Sequence, residues 1–167
     1  MKDLNLTGLK NWFCYSLLLF FIARPLWAEI LPASWLKPEE PPVTVTELRY
    51  EKLMKAYVNQ IKMAFATTED KKSLAILMAY LPEFSHKTDN IVRELQGQLK
   101  QLSQPEKELL LRRFRERSHT DELIALYFDE RVTSRTAVNQ NLKAIMEQLH
   151  TKSLEVQQTG QKFIAAD

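Results

Sequence analysis

From residue 44 onward, apolar residues recur three and four positions apart, with polar residues between them. That spacing matches the 3.6-residue turn of an α-helix and not the two-residue alternation of a strand. The first run holds Tyr50, Leu53, Met54, Tyr57, Val58, Ile61, Ala64 and Phe65, one continuous stripe of an amphipathic helix. Thr44 and Glu47 ahead of it have the spacing of a capping box, so the helix is expected to start at Thr44 or Thr46. It should break near Thr67-Thr68. Leu74, Leu77, Met78 and Leu81 predict a second helix over 69–81, with Ala75, Ile76, Ala79 and Tyr80 widening its apolar face. Pro82 is expected to end it. A third helix should begin within 83–90 and carry Phe84, Ile91, Val92, Leu95, Leu99 and Leu102. Gly97 weakens that helix by about 1 kcal/mol relative to alanine.

Ser103-Gln104-Pro105-Glu106 signals a fresh start, with a capping serine, proline in the first turn and glutamate three residues on. Leu109, Leu110 and Phe114 carry this helix to about Arg117. The pattern returns from Asp121 with Leu123, Ile124, Tyr127, Phe128 and Val132, and Thr133-Ser134-Arg135-Thr136 predicts a corner. Val138, Leu142, Ile145 and Leu149 then form a short heptad-like seam, which Val156, Phe163 and Ile164 extend. No segment alternates like a strand. The fold class expected for residues 44–167 is all-α, an irregular bundle of five or six helices.

The region before the bundle reads differently. Trp12 to Ala23 is an apolar run of twelve residues, roughly 18 Å as a helix against a bilayer core of about 30 Å. Arg24 and Pro25 prevent a downstream extension. Lys2 and Lys10 precede the run, and Leu26-Trp27-Ala28 follows it before Glu29. This is the layout of a signal peptide over 1–28, cut between Ala28 and Glu29, with no transmembrane span left after cleavage. An uncleaved signal-anchor in the inner membrane is the alternative. Residues 29–43 hold Pro32, Pro38, Pro41 and Pro42, which favour extended chain. Ile30, Leu31, Trp35 and Leu36 make this proline-rich arm too apolar for a plain spacer. It is expected to dock on the domain itself or on a partner.

The full chain has 23 Lys+Arg against 21 Asp+Glu. Residues 1–28 hold Lys2, Lys10 and Arg24 against Asp3, so their removal leaves 20 of each sign and no net charge. Nothing then draws the protein to nucleic acid. Cys14, the only cysteine, lies in the leader, so the remaining 139 residues can form no disulfide. The glycines are confined to positions 8, 97 and 160, too few for glycine-rich phosphate loops. His86, His119 and His150 are far apart and match no metal-ligand spacing. No G-x-S-x-G motif occurs. Glu39-Glu40 and Asp129-Glu130 are adjacent pairs, and neighbouring helical residues point about 100° apart. No catalytic, cofactor or metal residue is therefore assigned. The sharpest charge feature is LLLRRFRERSH, 109–119. Its Arg112, Arg113, Arg115 and Arg117 offer a face for an anion or an acidic partner, or a rim whose stems cover the core and pair with Glu108 and Glu116.

Residues 102–114, LSQPEKELLLRRF, are similar to the L-T-x-x-Q segments of the small all-helical periplasmic chaperones of the Spy and CpxP kind. Ser103 stands in place of the threonine and Glu106 in place of the glutamine. The similarity covers about a dozen of the 167 residues, and a capping box followed by an amphipathic helix produces the same pattern. The resemblance implies client binding on a concave helical face. The function expected is that of an exported helical binding protein: an adaptor, chaperone or accessory component of an envelope or secretion assembly. The periplasm is the expected compartment and the exterior the alternative. Its expected partners are a protein and, transiently, anionic envelope components. The rival classes are a secreted inhibitor or effector, and a small hydrolase whose carboxylates converge only in three dimensions.

Overall fold

A computed structural model describes residues 41–165, and every regular element among them is helical. The leader, its Ala28–Glu29 junction and the arm residues Ile30, Leu31, Trp35 and Leu36 lie outside the described residues. Helix α1 is Val45–Ala66, α2 Asp70–Leu99, α3 Gln104–Glu116, α4 Thr120–Tyr127, α5 Glu130–Val138 and α6 Gln140–Ala165. The long helices α1, α2 and α6 make the frame: α2 packs along both α1 and α6, and the three short helices bridge α1 to α6. The all-α class and the helix number agree with the apolar spacing.

The local signals act where they were read. Thr44 Oγ1 accepts the Glu47 N–H at 3.2 Å, and Glu47 Oε2 accepts the Thr44 N–H at 2.7 Å, a closed capping box. At the start of α3 the Ser103 N–H and hydroxyl both donate to Glu106 Oε2, at 2.8 and 2.5 Å. The α1 stripe is buried along its whole length, and Tyr57 of α1 stacks on Phe84 of α2 with ring centroids 4.7 Å apart. Leu142, Ile145 and Leu149 of the α6 seam are buried, joined by Met146 and Val156. Val138, at the end of α5, is exposed instead.

Pro82 does not end a helix; α2 runs through it as one element of 30 residues. Proline removes one hydrogen bond, the one its missing N–H would have given to the Met78 carbonyl, and it disfavours a helix interior by about 3 kcal/mol. Packing on both sides outweighs that loss. Leu77 before the proline and Phe84, Ile91, Leu95 and Leu99 after it are buried on one side of a single rod. Met78, expected on the inner face, is exposed. The helix expected from Asp121 through Val132 is divided at Phe128 and Asp129. Asp129 caps α5 by accepting the Arg131 N–H at 2.8 Å.

The corner expected at Thr133–Thr136 is instead helical, inside α5. The hydroxyls of Thr133 and Thr136 donate back to the Asp129 and Val132 carbonyls. Arg135 anchors the helix: its guanidinium donates to Asp70 Oδ1 (2.7 Å), the Thr67 carbonyl (2.6 Å) and Ser73 Oγ (2.7 Å). It also lies over the Phe65 ring, 5.2 Å from its centroid. One long side chain thus clamps the end of α1 and the start of α2 to α5, and this tertiary gain overrides weak helix propensity. His119, ahead of α4, has φ 51°, a left-handed conformation uncommon outside glycine. Its Nδ1 is 2.9 Å from Glu122 Oε1, a contact that ties the turn to the new helix.

Candidate binding groove

Helices α1 and α2 run antiparallel. Thr46 meets Glu94 and Gln98 at one end, and the Ala64 carbonyl accepts the Ser73 hydroxyl at the other. Between their edges lies a groove of about 820 Å³. Leu53 and Ala56 of α1 and Tyr80 and Ile91 of α2 contribute its apolar lining. Leu53 and Ile91 belong to the core stripes, whereas Ala56 is exposed. On α1 Leu53 and Ala56 are three residues apart and share a face; on α2 Tyr80 and Ile91 are eleven apart, with Glu83 and Lys87 between them.

Charge surrounds this strip. Arg49, Lys52, Lys87 and Arg93 line the groove against two carboxylates, Glu83 and Glu94. Arg49 Nη1 is 2.7 Å from Glu94 Oε1 and Lys87 Nζ is 2.5 Å from Glu83 Oε1. Lys52 and Arg93 have no carboxylate partner among the described residues; Arg93 bonds to the Asn90 side chain. Glu83 and Glu94 are eleven residues apart on one helix, roughly 16 Å along its axis. Paired catalytic carboxylates work within about 10 Å of each other, so these two do not form an acid–base pair. The Tyr80 hydroxyl, beneath the groove, is covered and has no hydrogen-bond partner among the described residues. Burial pushes its ionisation well above the usual phenol range.

The arginine segment is divided between two directions. Arg113 is buried and Arg117 partly so; both turn toward α1. Arg113 Nη1 is 4.0 Å and Arg117 Nη1 3.6 Å from the Glu47 carboxylate, which is 0% exposed. Arg117 Nε also stands 3.5 Å from Glu51 Oε2. Arg112 is exposed and lies 3.8 Å from Glu116, and Arg115 is exposed as well. Glu47 therefore closes the α1 cap with one oxygen edge and faces the α3 arginines from the interior.

A smaller hollow of about 300 Å³ lies among α1, α4 and α6, lined by Met54, Leu123, Tyr127 and Leu154. Ile124 and Phe128 belong to it too and are 50% and 80% exposed. Among the described residues, no three His, Asp or Glu side chains converge as a metal site. No helix among them is long and apolar enough to cross a membrane.

Sequence reasoning singled out none of the groove residues. The apolar stripe signalled Leu53 and Ile91 as core. Arg49, Lys52, Lys87 and Arg93 carried no mark that separated them from other surface charges. Comparison with protein families, with curated proteins and with solved structures finds no match to this chain.

Proposed function

We propose that this is an exported helical binding protein that holds a protein partner in the α1/α2 groove, as an adaptor, chaperone or accessory component of a periplasmic envelope or secretion assembly. The observation that carries the binding reading is the groove itself: an apolar strip between two rigid helices, bordered by charge, with no carboxylate pair suited to hydrolysis. Ala56 and part of Tyr80 face water while the groove is empty, and covering them is favourable. The export reading rests on the leader: a short apolar run between lysines and Ala28, too short to span a bilayer comfortably.

Two measurements test the two halves. The intact mass of the exported protein should correspond to a chain beginning at Glu29. A full-length chain held in the membrane fraction would overturn export. For binding, a photo-crosslinking residue at Ala56, in the groove, should capture a discrete partner that the same residue at Gln161, on exposed α6 surface, does not. Identical adducts from both positions, or none from Ala56, would overturn it.

A further inference from the structure

We infer that the occupant of the α1/α2 groove is an amphipathic helix of the partner protein, apolar on its inner face and acidic on its flanks. This rests on the binding reading and adds the chemistry of what is bound. The shape of the site carries the first half. The α1 wall runs from Arg49 to Gln60, roughly 16 Å at 1.5 Å per residue, the length of three helical turns. Its walls are the sides of two helices, whose backbone hydrogen bonds are internal, so no edge is present to which an extended strand could add. The apolar atoms a bound helix would meet are those of exposed Ala56 on one wall and half-buried Tyr80 on the other, with Leu53 and Ile91 largely covered in the floor. The small Ala56 side chain lets a third helix approach closely. Ridges from such a helix fit the furrow between two antiparallel helices as they would in a bundle.

The charges carry the second half. Of the four cations lining the groove, Arg49 is engaged with Glu94 and Lys87 with Glu83. Lys52 on α1 and Arg93 on α2 are left with no carboxylate partner among the described residues. They stand on opposite walls, both in the half of the groove nearer Thr46. A helix lying between them meets one surplus cation on each side. Acidic residues on its two flanks satisfy both, and basic ones are repelled. Complementarity of this kind selects partners and speeds encounter more than it adds affinity. An anionic lipid is the weaker fit, because the groove is open and its accessible apolar lining is confined to Ala56 and part of Tyr80, with no enclosed space for an acyl chain.

The test uses the full chain and two synthetic helical peptides of three to four turns with the same leucine stripe, one flanked by glutamate and one by lysine. Binding is read by fluorescence anisotropy at low and high salt. The glutamate peptide should bind, and more weakly as salt rises. Lys52→Glu with Arg93→Glu should weaken it by roughly tenfold, while the lysine peptide, poor on the wild type, should gain by a similar factor. Ala56→Trp should block the glutamate peptide. Circular dichroism checks that each variant stays helical. Equal binding of both peptides, binding of neither, or glutamate-peptide binding untouched by Ala56→Trp would overturn the inference. So would phosphatidylglycerol vesicles that bind the wild type and are lost with the two charge reversals while the peptide is not. Capture of a partner at Ala56 without any sign preference for the peptides sinks this inference and leaves the binding reading standing.

Discussion

Tyr50, Tyr57, Tyr80 and Tyr127 face inward along α1, α2 and α4, and burial is the first cause of a raised ionisation in each. Tyr50 and Tyr127 are pushed up to about 12. Tyr57 goes well beyond the phenol range, because its hydroxyl is buried and 2.6 Å from that of Tyr127. A phenol whose folded pKa is raised contributes stability that is fully present below the unfolded value, about 10. That contribution is lost as pH rises from there through the folded values. Absorbance at 295 nm should therefore show little phenolate from these four at pH 10–11, and then a steep rise together with loss of helicity. Graded ionisation near pH 10 with the helix signal intact would refute the burial. The Tyr57–Tyr127 contact was not legible in sequence, since its members are seventy residues apart and each reads only as part of a stripe.

At the scale of the element, Pro82 and the two helical glycines give opposite expectations from similar local rules. Pro82 is exposed inside α2, so replacing it by alanine restores a backbone hydrogen bond and disturbs no packing. Pro82→Ala should raise stability by about 1–3 kcal/mol in urea unfolding; no gain would mean that two helices meet there. A Cβ added at Gly97 of α2 meets nothing within 4 Å. Gly97→Ala should therefore gain about 0.5–1 kcal/mol. At Gly160 of α6 the same atom would lie 2.2 Å from Leu111 Cδ2 of α3. Gly160→Ala should lose about 1–3 kcal/mol through overpacking, less its propensity gain, and Leu111→Ala should remove that loss in a double-mutant cycle. A midpoint shift of the same sign at both glycines would contradict the close approach of α6 to α3. Sequence marks Gly97 as a weak point of its helix, and only the neighbouring Leu111 sets Gly160 apart from it.

For the molecule as a whole, acid should act through the starts of its helices. Asp70 opens α2 and is held below the usual carboxylate range by hydrogen bonds from Asn139 and Arg135. Glu106 in the first turn of α3 is lowered by Ser103, Glu122 in that of α4 by His119 and Lys62, and Asp129 at the cap of α5 by Arg131. Each folded pKa is depressed, so the stability each contributes is present above the unfolded value, about 4, and is lost as pH falls through the folded one. The melting temperature should hold from pH 7 to about 5 and drop below about 4. Asp70→Asn should lower it at pH 7 and flatten the acid limb, because Asp70 joins α2 to Arg135 and Asn139 of the α5 end. A limb unchanged by Asp70→Asn would remove that carboxylate from the account.

Local pattern alone marks the inward faces of α1 and α6 and the strongest caps, although Met78 and Val138, which it also turns inward, are exposed. Stripes and caps are local properties: the apolar stripes follow from 3.6-residue geometry, and Thr44–Glu47 and Ser103–Glu106 close hydrogen bonds within one turn. Whether weak or contrary segments join a helix depends on long-range packing. Pro82 stays inside α2 because both halves of that helix pack on one core. Thr133–Thr136 becomes helix because Arg135 finds Asp70, Thr67 and Ser73 from sixty or more residues away. The same holds for the arginine segment, which local spacing presents as a cluster. The interior position of Glu47 turns Arg113 and Arg117 one way, while Arg112 and Arg115 stay in solvent. The groove is tertiary throughout. Its cations sit on the polar edges of two helices, and nothing in a periodic pattern states which edges will meet. That depends on the register of α1 against α2, set by Thr46 with Gln98 and Ala64 with Ser73, and register is a property of the packed pair rather than of either strip of sequence.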